Sequence, residues 1–218
     1  MTEVKICGVC RPEDARSAQE AGAHYIGVIL SARSARLRSP DEAARIFASA
    51  PGLRRAGVFV DAPAGLVVAL ASRLSLDVVQ LHGSESESVI EEIRSAGEWR
   101  IWKAIRVRGA EDFKEGTSRF AGVVDGVLLD AWTAHQGGAG VRFPWDAVAP
   151  LRTRLGGEQR LIVAGGLDAD SVVDAIALLY PDVVDVSSGV EHAVGEKDDA
   201  RVRAFVDAVR GAGAAKEA

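Results

Sequence analysis

The chain is short of the residues that build metal centres and cross-links. Its 218 residues include two cysteines and four histidines. Cys7 and Cys10 form one C-x-x-C pair, and no second Cys/His cluster accompanies it to complete a zinc site. A redox version of that motif would open a helix, whereas Cys7 ends an apolar run that reads as a strand. His24, His82, His135 and His192 are scattered without ligand spacing. Basic excess is absent too: the formal net charge is −5, which lacks the electrostatic footprint of a nucleic-acid binder. No run of 18 apolar residues occurs, so no membrane-spanning helix is expected. Nor is there a charged-then-apolar leader. The chain enters its first apolar run almost at once, as expected of a cytoplasmic protein.

What is present is a steady alternation. Hydrophobic residues make up 48% of the chain, ample for a sizeable core. Short apolar runs lie at Val4–Cys7, Tyr25–Leu30, Ala56–Val60, Val78–Leu81, Ile101–Ile105, Val127–Asp130, Leu161–Ala164 and Val183–Ser187. Apolar residues often occupy consecutive positions, as in strands covered on both faces. Helix candidates fall between them: Pro12–Ala21, a segment opened by Ser39 as N-cap, Pro63–Leu74, Ser84–Ala96, Ala110–Ser118, Trp145–Leu155, Asp168–Leu179 and Asp198–Val209. Strict strand–helix alternation implies parallel strands with right-handed crossovers. Eight of each points to a single (β/α)8 TIM barrel over residues 1–210, followed by a small polar tail, 211–218, expected to fray.

In such a barrel the strand ends converge on one face, where the active site lies. Four strands here end on chemistry. Strand alternation puts Lys5 and Cys7 on one face and Val4 and Ile6 on the other. Asp185 and Ser187 share a face of the last strand by the same rule. The first and last strands are neighbours, so a Lys5–Asp185 ion pair is expected one layer below the mouth. An ammonium there favours the thiolate of Cys7, whose ordinary pKa is about 8.5. The plainer alternative is that Cys7 is a small buried hydrophobe. Asp130 ends the run Val127–Leu129, where an unpaired carboxylate would be costly. The plainer alternative for it is a loop cap. Together a thiol and a carboxyl suit acid–base chemistry on two sides of a small substrate. Gly165-Gly166 and Ser187-Ser188-Gly189 end the last two strands, where barrels often cradle phosphate. Tight turns with capping serines are the alternative. The Ala131–Phe143 loop carries glycines at 137, 138 and 140, and long loops of this kind are usually functional. Arg33, Arg36 and Arg38 line another rim connection, and an arginine there suits a planar carboxylate.

Read in order, these pieces resemble the phosphoribosylanthranilate isomerase family. The resemblance rests on Lys5-Ile6-Cys7-Gly8, Ser34-Ala35-Arg36 ahead of Ser39-Pro40, Gly57-Val58-Phe59-Val60-Asp61 and Gln80-Leu81-His82-Gly83. It continues through Leu128-Leu129-Asp130-Ala131, Gly137-Gly138-Ala139-Gly140, Ala164-Gly165-Gly166-Leu167, Asp185-Val186-Ser187-Ser188-Gly189-Val190-Glu191 and Lys197-Asp198. It covers nearly the whole chain. It implies an Amadori rearrangement of N-(5-phosphoribosyl)anthranilate in tryptophan biosynthesis, without metal or cofactor. Carried over by position, Asp130 is the general acid and Cys7 the general base. Arg36 holds the anthranilate carboxylate. Gly138, Gly140, Gly166, Ser187, Ser188 and Gly189 hold the phosphate. The implied partner is this small sugar phosphate, not nucleic acid or membrane, and monomer and homodimer are both left open.

The chain departs from the family pattern at Gly137-Gly138-Ala139-Gly140-Val141-Arg142. The family usually reads Gly-Gly-Thr-Gly-Lys, so a hydroxyl is lost and the basic residue is offset, while the glycine backbone is retained. Cys10 stands where the family often has threonine and reads as a helix-start residue. Two rivals are weighed beside this reading. A histidine-pathway isomerase would typically carry aspartate at position 7 and a phosphate loop in each half. A sugar-phosphate sensor would have no need of both Cys7 and Asp130.

Overall fold

A computed structural model of the chain describes residues 1–31, 33–131, 144–155 and 159–214. Eight parallel strands close into a barrel in sequence order. They are β1 (Glu3–Ile6), β2 (Tyr25–Ser31), β3 (Arg54–Phe59), β4 (Val78–Leu81), β5 (Arg100–Val107), β6 (Gly126–Ala131), β7 (Arg160–Val163) and β8 (Val183–Val186). The ring shuts where β1 meets β8, with Lys5 opposite Asp185. Helices α1 (Pro12–Ala21), α2 (Pro40–Ala48), α3 (Ala64–Leu74), α4 (Glu87–Ser95), α5 (Ala110–Arg119), α6 (Trp145–Val148), α7 (Val172–Leu179) and α8 (Asp199–Ala214) follow the strands in turn. The expected (β/α)8 barrel is therefore the observed fold.

Strand alternation divides the interior into two apolar layers. Val4, Ile6, Ile26, Val28, Leu129 and Val163 pack outward against the helices. Tyr25, Ala56, Val78, Trp102, Leu128, Ile162 and Val183 fill the barrel itself. Helix ends follow local chemistry. Ser39 and Glu42 form a reciprocal capping box at the start of α2, and Gly22 ends α1 with φ 90°.

Four helices differ by more than one residue from the sequence expectation, three with a physical cause. The helix expected over Trp145–Leu155 stops at Val148 and continues as a 3-10 turn over Ala149–Arg154. Pro150 has no N–H to bond back to the preceding turn. Helix α4 starts at Glu87, capped by Ser86, because Glu85 turns inward to pair with buried Lys103 at 3.0 Å. Helix α7 starts at Val172, since Asp168 and Ser171 bond each other's backbone in a turn before it. At the other end α8 continues through Ala214, so Gly211–Ala214 are helical rather than frayed. A short hairpin, β9 (Glu191–Ala193) with β10 (Glu196–Lys197), was not anticipated.

Candidate active site

The C-terminal ends of the strands gather the reactive groups. Cys7 follows β1, and its N–H donates to Val186 O of β8 at 2.8 Å. Beneath it Lys5 is fully buried and its Nζ lies 2.9 Å from Asp185 Oδ1, the pairing expected from strand alternation. The Cys7 thiol lies beside the same ammonium, both against Gly27 of β2. A Cβ added there would lie 2.9 Å from Cys7 Sγ and 3.0 Å from Lys5 Nζ. A side chain on β2 would therefore displace the thiol or the ammonium.

The protonation of Cys7 departs from expectation. Burial pushes the thiol above its ordinary value, and the Asp185 carboxylate adds to that. Lys5 and Lys197 pull the other way without prevailing. The Lys5 ammonium moderates the shift, but desolvation of the thiolate is the larger effect. The Asp185 and Cys7 charges hold Lys5 above its ordinary value in spite of its burial.

Asp130 ends β6 and faces the same mouth, separated from Cys7 around the ring by β7 and β8. Its Oδ1 accepts from Ala131 N at 2.9 Å. Its Oδ2 lies 3.2 Å from His82 Nε2, at the end of β4. Behind the imidazole, Gln80 Nε2 lies 3.0 Å from His82 Nδ1. Gly165, with φ 82°, lets the β7 loop come close, because a Cβ there would fall 2.8 Å from Asp130 Oδ1.

Arg36 reaches over Gly8, whose added Cβ would meet Arg36 Cδ at 2.7 Å and Ser187 Oγ at 2.8 Å. This places Arg36 between the ends of β1 and β8. Its guanidinium is already engaged: Nε donates to Glu191 Oε1 at 2.8 Å and Nη2 to Glu191 Oε2 at 2.6 Å. Glu191 also accepts from buried Lys197 at 2.9 Å. Among the described residues no hydrogen bond from Arg36 Nη1 is seen beside these two.

The loops after β7 and β8 form one cradle. Gly166 has φ 65°, Ser188–Val190 make a single 3-10 turn, and the two loops touch at Gly189. A Cβ on Gly189 would fall 2.0 Å from Leu167 O, so only glycine permits this packing. Gly138 and Gly140 lie outside the described residues.

Sequence reading missed Gln80, His82, Glu191 and Lys197 as members of this cluster. His82 had a usable signal, since it lies two residues beyond Gln80 and so shares its inward face. Glu191 had none, because its partner Arg36 is 155 residues away. Among the described residues no group of three or more His, Cys, Asp or Glu side chains is placed to hold a metal ion. No described helix is long and apolar enough to cross a membrane.

Comparison with known proteins supplies the context. A family model described as N-(5'phosphoribosyl)anthranilate (PRA) isomerase matches residues 4–208. The N-(5'-phosphoribosyl)anthranilate isomerase of Geobacter sp. (strain M21) is 42% identical over 214 residues, covering 94% of this chain and 97% of the relative. The crystal structure of phosphoribosyl anthranilate isomerase from Thermotoga maritima superposes with a TM-score of 0.88 at 34% identity, over 97% of this chain and all of that one. A structure of such an isomerase with reduced 1-(o-carboxyphenylamino)-1-deoxyribulose 5-phosphate gives a TM-score of 0.85 at 32% identity, over 97% of this chain and 100% of that chain. From the family match along almost its whole length, the chain belongs to the phosphoribosylanthranilate isomerases.

Proposed function

We propose that this isomerase converts N-(5'-phosphoribosyl)anthranilate into 1-(2-carboxyphenylamino)-1-deoxyribulose 5-phosphate with Asp130 as acid and Cys7 as base. Asp130 gives its proton to the furanose ring oxygen while the anilino nitrogen pushes open the C1–O bond. The product is a protonated Schiff base. Cys7, as thiolate, takes the proton from C2 and leaves an enolamine. Addition of a proton at C1 and loss of the 2-hydroxyl proton then give the ketone. Two groups on different strands are needed because the acid and the base act on different sides of the sugar.

The observation that carries this reading is the seating of Cys7, held over Gly27 by a buried ammonium. A thiolate desolvated to a higher pKa is scarcer but a stronger base, which suits removal of a carbon-bound proton. Arg36 takes the anthranilate carboxylate with its Nη1 edge. Gly166, Ser187, Ser188 and Gly189, with Gly138 and Gly140, take the phosphate. We read the enzyme as cytoplasmic, acting as a monomer or homodimer on this small molecule alone.

The test is a coupled assay. Substrate is made in situ from anthranilate and phosphoribosyl pyrophosphate by a transferase, with indole-glycerol-phosphate synthase downstream. Rapid conversion, lost in both Cys7→Ala and Asp130→Asn, is the expected result. Full activity in either variant would remove that residue from the mechanism.

A further inference from the structure

One imidazole stands inside the mouth with no part in the chemistry above. His82 Nε2 faces Asp130 Oδ2, and its Nδ1 faces the amide of Gln80. Gln80 is buried inside the barrel at 1% exposure. Its Oε1 is buried with no hydrogen-bond partner among the described residues. A buried unsatisfied polar atom is uncommon and calls for an explanation. The orientation of the amide supplies one. With Nε2 of Gln80 toward the ring, the carbonyl oxygen and only one N–H lack a partner among the described residues. With the amide reversed, both N–H groups would be orphaned, and buried N–H groups tolerate this less well than carbonyls. This orientation has Gln80 donating to Nδ1, which leaves a ring N–H on Nε2 aimed at Asp130.

We infer that His82 is the positioning residue for the acid, with Gln80 as the group that fixes its tautomer. The inference rests on the reading of Asp130 as general acid. The carboxyl of Asp130 has two oxygens with different neighbours. Oδ1 is occupied by the Ala131 N–H. Oδ2 carries the proton to be given up, and the His82 N–H meets that same oxygen on its other side. When Asp130 releases its proton to the ring oxygen, Oδ2 becomes anionic. The bond from Nε2–H then changes from a neutral one to a charge-assisted one, roughly doubling in strength. The interaction is thus stronger after proton transfer than before it, which is the kind that raises kcat rather than lowers KM. No bond to His82 is made or broken in the step. The proton leaves Oδ2 for the sugar oxygen and the imidazole keeps its own.

The experiment is a double-mutant cycle in the coupled assay, with folding of each variant checked by circular dichroism. His82→Ala is expected to lower kcat about 10–100-fold with KM within about 3-fold, the size of one lost hydrogen bond to a charged group. His82→Gln keeps an N–H within reach of Oδ2 and is expected to recover most of that loss. In the Asp130→Asn background, His82→Ala is expected to have little further effect on kcat, because its partner has gone. The proposal falls if His82→Ala leaves kcat unchanged. It falls equally if His82→Gln is no better than alanine, or if His82→Ala costs the same factor with and without the Asp130 carboxyl. Wild-type kcat in Asp130→Asn would instead bring down the acid assignment, and the inference with it.

Discussion

Arg36 and Glu191 form a two-point ion pair across the mouth of the barrel, at 2.8 and 2.6 Å. The pair defines the direction of the guanidinium before any substrate arrives. A bidentate carboxylate fixes the plane of the fork as well as its distance. Burial pushes Glu191 up, but the bond from Arg36 and the Lys197 charge outweigh it and hold the carboxyl below its ordinary range. Glu191 is therefore ionised at the working pH, and the Nε and Nη2 edge of Arg36 is committed to it.

Glu191→Gln should therefore act on binding. The amide cannot grip both Nε and Nη2 of Arg36, so the guanidinium gains freedom that substrate must remove. KM is expected to rise about 10-fold with kcat within about 3-fold. Steady-state kinetics over a range of substrate concentrations check this. An unchanged KM would mean that Arg36 is held well enough by its stem over Gly8.

Barrel closure was legible from residue types, and this pairing was not. Eight apolar runs spaced by amphipathic segments fix the fold class, because strands buried on both faces must be apolar at consecutive positions. The period of two placed Lys5 opposite Asp185 once the first and last strands were taken as neighbours. The same rule reaches His82 through Gln80. It does not reach Glu191, whose position depends on a turn and hairpin of only a few residues after β8. Short polar hairpins leave no periodic trace. Nor does a pattern of residue types weigh an ammonium against desolvation. The direction of the Cys7 shift depends on how deeply the thiol is buried.

That direction has a consequence for rate. In the proposed mechanism Cys7 works as thiolate, and burial holds its pKa above the ordinary thiol value. At neutral pH the thiol form dominates, and each step toward alkaline pH increases the competent fraction. In the free enzyme, log kcat/KM is expected to climb with pH through the neutral range with a slope approaching one, as far as Asp130 remains able to donate. Cys7→Ala should cut kcat by about 10²–10⁴-fold at every pH and abolish that rise. A flat profile in the wild-type enzyme from pH 6 to 9, measured with the coupling enzymes in excess, would contradict a raised thiol.

Lys5 and Asp185 are a buried pair with almost no access to water. Removing one partner leaves the other charge stranded in the barrel, at a cost of about 3–5 kcal/mol. Lys5→Met is expected to lose that much stability in urea titrations without a change in m-value. Lys5→Met combined with Asp185→Leu should recover much of the loss, because both charges are then gone, yet turnover should stay low because Cys7 has lost its ammonium. If the double variant regains activity along with stability, the pair is structural and does not support the thiolate.

At the opposite end of the barrel, Glu3 of β1 joins three other strands. It accepts from Arg54 of β3, Arg160 of β7 and the Tyr25 hydroxyl of β2. Burial pushes Glu3 up, but hydrogen bonds from Arg54 and Arg160, reinforced by their charge, hold it below its ordinary 4.5. A carboxyl depressed in the folded state binds its proton more weakly than in the unfolded chain. Its contribution to stability is therefore present in full above about pH 4.5 and is lost as the pH falls through the lower, folded value. Glu3→Gln should lower the thermal midpoint by about 2–4 °C at pH 7, a modest effect for a partly exposed cluster. The gap between variant and wild type should narrow steadily as the pH falls below 4.5. Melting curves at matched ionic strength decide the matter, and a gap that persists unchanged at pH 3 would mean that Glu3 contributes by packing rather than by charge.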